Sequence, residues 1–255
     1  MPRKTLLWTA LALALGYLAC AAWLYFAQDA LLYHPEFTRA DPAQTDYALR
    51  RDGVTLRGWV VNPGRARALI YFGGNADAVQ TMRDDYGRWA PDRSVYLVAY
   101  RGYGASEGKP RQDALFGDAL ALFDAVHGRH SEVALIGRSL GSGVATWVAA
   151  QRPVEKLVLV TPFDSIAGIA QRRFPVFPVQ LLMRDRYDSW RYAAAVRCPV
   201  LVLQAPLDQV VPADSTARLL RRFAPPPQLR VIAGTGHGTI VADPAYGRAV
   251  ADFLR

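Results

Sequence analysis

The sequence predicts an α/β fold: a mostly parallel sheet with helices on both faces. Six short apolar runs, at residues 68–72, 94–100, 133–136, 156–160, 200–205 and 229–233, are continuous rather than alternating, the pattern of strands buried on both sides. Segments of helical character at 77–89, 113–126, 141–150, 213–223 and 245–254 are interleaved with them. Alternation of this kind implies right-handed crossovers, which carry the connecting helices to both faces of one sheet. The chain of 255 residues, 51% of them hydrophobic, suits one such domain with a large core.

Ahead of the first run, residues 45–62 read as two strands turning at Asp52-Gly53, the second alternating over 55–61. Residues 162–196 break the strand–helix alternation. They are far longer than one crossover helix requires, and Pro175 and Pro178 divide them. A stretch of this length between two strands reads as a lid over the strand ends, with a packing excursion as the alternative. Pro225-Pro226-Pro227 reads as a rigid connector before the last strand.

The N-terminus is a separate unit. Arg3 and Lys4 precede residues 5–28, which carry no charge. At about 1.5 Å per residue a helix of that length crosses a hydrocarbon layer of about 30 Å. A cleaved secretory signal is the competing reading, with Ala19-Cys20-Ala21 as the cleavage region. The apolar run continues past it through Trp23, Leu24, Tyr25 and Phe26, which favours an uncleaved anchor with an interfacial aromatic belt. The expected organisation is a membrane anchor at 1–28 and an α/β domain at 29–255. Arg3 and Lys4 place the N-terminus in the cytoplasm and the domain on the periplasmic or extracytoplasmic side, although Arg39, Arg50 and Arg51 follow the span.

The net charge is +8, and 27 of the 30 basic residues are arginine. They are scattered, with no basic helix and no aromatic interleaving, so nucleic acid is not the expected partner. Attraction to anionic headgroups near the anchor suits the charge better. Cys20 lies in the apolar run and Cys198 far from it, so no disulfide framework is expected.

Gly137-Arg138-Ser139-Leu140-Gly141 fits G-x-S-x-G, with a strand before it and a helix after it. That context marks Ser139 as a nucleophile on a tight turn, with the amide-rich end of a helix behind it. A serine hydroxyl is a weak nucleophile until a base takes its proton. His237, in the glycine-rich loop after the last strand, stands at the carboxyl edge of the sheet, where ligands of open α/β sheets bind. His34, His127 and His130 lie elsewhere and read as surface residues. Asp208, after the 200–205 run, supplies the third member, giving the chain order Ser, Asp, His. Asp164, Asp188, Asp214 and Asp243 compete weakly, each in the insertion or at a helix entry. For the developing oxyanion the expected donors are the backbone N–H groups of Leu140 and Asn75, the latter in Gly73-Gly74-Asn75-Ala76.

These residues together resemble the α/β-hydrolase superfamily. Residues 99–110 (AYRGYGASEGKP), 137–145 (GRSLGSGVA), 161–165 (TPFDS), 173–189 (RFPVFPVQLLMRDRYDS) and 198–212 (CPVLVLQAPLDQVVP) are similar to its membrane-associated YfhR-like branch, with depalmitoylase-like and serine aminopeptidase-like relatives. The resemblance covers about residues 30–255. Two departures stand out. The branch has His-Gly-Asn-Ala where this chain has Gly73-Gly74-Asn75-Ala76, and His-Gly where it has Gln204-Ala205 ahead of Asp208.

The resulting expectation is a membrane-anchored serine hydrolase acting on esters, thioesters or amides of a small-molecule or acylated substrate, with no metal or organic cofactor. A peptidase on short peptides, with Arg138, Glu107 or arginines of the insertion holding a terminus, is one alternative. A catalytically silent hydrolase fold acting as a tethered binding module is another.

Overall fold

Eight strands, β1 (Tyr47–Arg51), β2 (Val54–Val61), β3 (Arg67–Phe72), β4 (Arg93–Val98), β5 (Glu132–Arg138), β6 (Leu157–Val160), β7 (Val200–Gln204) and β8 (Gln228–Val231), form one sheet in the computed structural model, which describes residues 3–255. Their spatial order is β1-β2-β4-β3-β5-β6-β7-β8. The β1–β2 hairpin and the β2–β4 pair are antiparallel, and every pair from β4 to β8 is parallel. All six apolar runs are strands. The hairpin turns at Asp52 and Gly53, both with positive φ (49° and 76°), the conformation this dipeptide favours.

Helices α2 (Arg83–Trp89), α3 (Gln112–His127), α4 (Leu140–Ala149), α8 (Ala213–Leu220) and α9 (Pro244–Leu254) follow the interleaved segments. From β3 through α2 to β4 the chain steps one way along the sheet; from β4 through α3 to β5 it steps back past β3. Right-handed crossovers in opposite directions put α2 and α3 on opposite faces. Accordingly α2 packs on α9, and α3 on α4. The reversal also opens a crevice at the carboxyl ends of β3 and β5, the topological switch point where such sheets bind ligands.

Residues 162–196, the expected lid, carry α5 (Ile166–Arg173), α6 (Val179–Leu182) and α7 (Ser189–Tyr192). At the other end of the chain α1 runs unbroken from Arg3 to Leu32, beyond the uncharged run. Tyr33, only 3% exposed, then enters the domain, its hydroxyl 2.8 Å from both Asp185 and the Tyr187 hydroxyl. The helix therefore joins the domain without a linker.

On the edge away from the crevice, Arg93 is fully buried. It pairs with both Glu155 oxygens, at 2.5 and 2.8 Å, and donates to the Leu254 carbonyl at 2.8 Å, clamping β4 to the chain before β6 and the end of α9. Removing one partner of a buried pair leaves the other charge uncompensated. Arg93→Met is expected to destabilise the fold by about 3 kcal/mol, measured as a lowered unfolding temperature of the full chain in detergent.

Candidate active site

Strand β5 ends at Arg138 and α4 begins at Leu140, leaving Ser139 alone in the bend with φ 49° and ψ −117°. A non-glycine residue holds that conformation only where its surroundings fix it, at a cost of about 1–3 kcal/mol. Here the Ser139 N–H donates to the Val160 carbonyl at 2.9 Å, and its carbonyl accepts from the Ser142 N–H at 2.8 Å and hydroxyl at 2.6 Å. The flanking glycines serve close approach. A Cβ on Gly141 would strike the Phe72 carbonyl, and one on Gly137 would collide with the Gly141 carbonyl and with Ala145 Cβ.

The structure brings the three sequence-expected side chains into one chain of hydrogen bonds. His237 Nε2 lies 2.9 Å from Ser139 Oγ, and His237 Nδ1 lies 2.7 Å from Asp208 Oδ2. A carboxylate facing Nδ1 requires the proton there, which leaves Nε2 free to accept from the serine hydroxyl. The second Asp208 oxygen accepts from the Val210 and Val211 N–H groups, each at 2.8 Å, and the Leu207 N–H donates to the Thr235 carbonyl, joining the acid and histidine loops. Replacement of His-Gly by Gln204-Ala205 thus leaves the acid in place. Burial works against the Asp208 charge, but the bonds from His237, Val211 and Val210 outweigh it, so the carboxyl sits below its ordinary value.

The loop after β3 passes close to the serine: a Cβ on Gly74 would lie 3.4 Å from Ser139 Cβ. The Asn75 side chain is occupied as scaffold. Its Oδ1 accepts from the Tyr103 hydroxyl (2.7 Å) and the His34 N–H (3.1 Å), while its Nδ2 donates to the Leu32 carbonyl at the end of α1. Among the described residues the backbone N–H of Asn75 has no protein acceptor, nor does that of Leu140, the first residue of α4. Both remain available as donors beside Ser139.

Two residues that the sequence reading did not assign to this loop organise it. Asp77 accepts from the Gly74 N–H at 2.6 Å and the Tyr71 hydroxyl at 3.0 Å, and pairs with Arg138. Arg138 also donates to the His237 carbonyl at 3.3 Å. One ion pair therefore ties the loop after β3, the residue before the serine and the histidine backbone together. Burial opposes the Arg138 charge, and the adjacent Asp77 carboxylate more than offsets it, holding the guanidinium above its ordinary value. No motif spacing announces this pair.

The other carboxylates and histidines are engaged elsewhere. Asp164 pairs with Ser215 and Arg218, Asp188 with Ser165 and Arg186, Asp214 with Arg172 and Arg218, and Asp243 caps α9. His34 faces Glu36, His127 stacks on Phe123, and His130 bonds to Tyr96. Glu107 accepts from the Thr55 N–H at 2.8 Å.

No family model matches the chain. Among individual proteins, Rv2307c of Mycobacterium tuberculosis is 34% identical over 233 residues, covering 87% of this chain and 81% of the relative. YfhR of Salmonella typhi is 30% identical over 229 residues, covering 80% and 76%. The chain belongs to the YfhR-like α/β-hydrolases. The lysophosphatidylserine lipase ABHD12 of Xenopus tropicalis is 29% identical to this hydrolase over 190 residues, spanning 63% of the chain and 49% of the lipase. Two solved structures share its fold. A Pseudomonas aeruginosa hydrolase superposes with a TM-score of 0.67 at 20% identity, covering 84% of this chain and 99% of that one. An esterase of Pyrococcus furiosus superposes with 0.64 at 18% identity, covering 83% and 88%.

Removing the Asp77 carboxylate frees the loop and Arg138 together. Asp77→Ala is expected to lower the turnover of an activated ester by about 10–100-fold, read from steady-state kinetics beside the unaltered chain. The depressed Asp208 carboxyl has a second consequence: its stabilisation is complete above the unfolded value near pH ~3.9 and fades as pH falls through the lower folded value. Denaturation midpoints followed into acid should therefore decline more steeply for the native chain than for Asp208→Asn.

Proposed function

We propose that this hydrolase is a membrane-anchored serine hydrolase that cleaves carboxylic esters, thioesters or amides through an acyl-enzyme on Ser139. The observation that carries the reading is the continuous Asp208–His237–Ser139 hydrogen-bond chain at the carboxyl edge of the sheet. Ser139 Oγ attacks the substrate carbonyl carbon while His237 Nε2 takes its proton, and Asp208 stabilises the imidazolium so formed. The carbonyl oxygen becomes an oxyanion held by the Asn75 and Leu140 N–H groups. His237 then returns the proton to the departing alcohol, thiol or amine. Water, deprotonated by the same imidazole, releases the acid and restores the serine.

The esterase and lipase names among its relatives and structural neighbours support acyl substrates. Arg138, the best-placed candidate for holding a peptide terminus, is already committed to Asp77, which supports esters over peptides. Residues 1–28 serve as the anchor and 29–255 as the catalytic domain. Support for anchoring comes from α1, a 30-residue helix whose mean hydropathy reaches 1.8. The basic residues before the span favour a cytoplasmic N-terminus and an extracytoplasmic domain.

A fluorophosphonate probe should label the full chain once, at Ser139, and Ser139→Ala should abolish the adduct. Hydrolysis of p-nitrophenyl butyrate should fall about a thousandfold or more in the same variant. Absence of any Ser139-dependent adduct in folded protein would instead favour a silent binding module.

A further inference from the structure

Helix α1 does not stand clear of the lid. Tyr17 stacks on Phe177 with ring centroids 5.1 Å apart, and its hydroxyl donates to the Val176 carbonyl at 3.1 Å. Nearer the domain, Gln28 Oε1 accepts from the Arg184 N–H at 2.8 Å, and Asp29 pairs with the Arg184 guanidinium at 2.9 Å. Tyr17 and Asp29 are separated by about 18 Å along the helix, so the lid between Phe174 and Arg184 runs beside half of the apolar span. Val176 and Leu181, on that part of the lid, are 70% and 86% exposed. Side chains of this kind, set against a membrane-spanning helix, suit a hydrocarbon environment.

Between α1 and the lid lies a cavity of about 270 Å³. Leu24 and Leu31 wall it from α1; Ile169, Phe174 and Leu182 face them from the lid. Gln28 and Arg173 are its only strongly polar lining residues. One end reaches Leu24 and Tyr25, inside the uncharged run. The other reaches Leu32, whose carbonyl accepts the Asn75 side chain. The cavity thus runs from the domain-proximal end of the uncharged run to Leu32, the residue whose carbonyl holds the Asn75 side chain of the loop beside Ser139.

We infer that this groove takes the long acyl chain of a membrane lipid, drawn sideways from the leaflet, so that the ester carbonyl arrives at Ser139. The inference deepens the serine-hydrolase reading and rests on it for the cleavage step. Chain binding itself does not. Each methylene buried in such a groove strengthens binding about fourfold, which makes acyl length the quantity to vary.

The binding arm uses full-length Ser139→Ala protein in nanodiscs and a sixteen-carbon fatty acid carrying a terminal diazirine. Photo-adducts are expected on peptides spanning 24–32 and 166–183, displaced by palmitate and not by butyrate. Ala170→Trp from the lid wall and Leu24→Trp from the helix wall should each reduce them at least fivefold, with unfolding temperatures confirming that both variants fold. Adducts confined to the outer side of α1, or untouched by both tryptophans, would overturn the groove. In the catalytic arm, chains retaining Ser139 are compared for the ratio of p-nitrophenyl palmitate to butyrate turnover, which should fall at least tenfold in either tryptophan variant. An unchanged ratio also overturns it. If neither ester is cleaved in a Ser139-dependent way, the serine reading fails, and the photo-adducts still decide whether the groove holds an acyl chain.

Discussion

The bend at Ser139 is the constraint on which the site depends. Strand β5 runs into α4 with no intervening loop, so the residue at the junction must adopt a positive φ and present its side chain above the sheet. That junction exists only because Gly141 lets α4 settle against the Phe72 carbonyl of the neighbouring strand. The same contact brings the end of β3, and with it the Gly73–Gly74 turn, beside the serine. The positions of Ser139 and of the Leu140 and Asn75 N–H groups are thereby set by one close approach of backbone. His237 and Asp208 are then brought in from the ends of β8 and β7 by strand order alone.

Electrostatics adds a second layer. Arg138, next in sequence to Ser139, is mostly buried and would be costly there without a partner; Asp77 provides it and uses its remaining capacity on Gly74 and Tyr71. The pair holds the loop and the His237 backbone through bonds to the Gly74 N–H and the His237 carbonyl. Its arrangement differs in kind from the Asp208–His237 pair, where the carboxylate faces a ring that also bonds to the Ser139 hydroxyl.

Much of this was legible in the sequence because the physics is local. Continuous apolar runs such as 133–136, too short for a helix of ordinary length, fit strands buried on both faces, and a glycine-flanked serine between such a run and a helix has few other readings. His237 and Asp208 followed from their positions just after strands. The Asp77–Arg138 pair was not legible, since 61 residues separate its members and only the adjacency of β3 and β5 joins them. The join between α1 and the domain was equally hidden. Tyr33, Asp185 and Tyr187 carry no spacing signal, and the uncharged run at 5–28 gives no sign that the helix continues to Leu32.

That continuation bears on how the domain can be handled without the apolar segment of α1. The last turn of α1 ends on a carbonyl that the Asn75 amide completes, so the turn is a brace for the loop beside the serine as well as the foot of the long apolar helix. Severing the chain after residue 28 to obtain a soluble form would leave four residues, a length at which helix formation in water is unfavourable, held to a helical turn only by such contacts as those with Asn75 and Arg184. A water-soluble fragment made that way would keep Ser139, His237 and Asp208 in place while loosening the loop that carries Asn75.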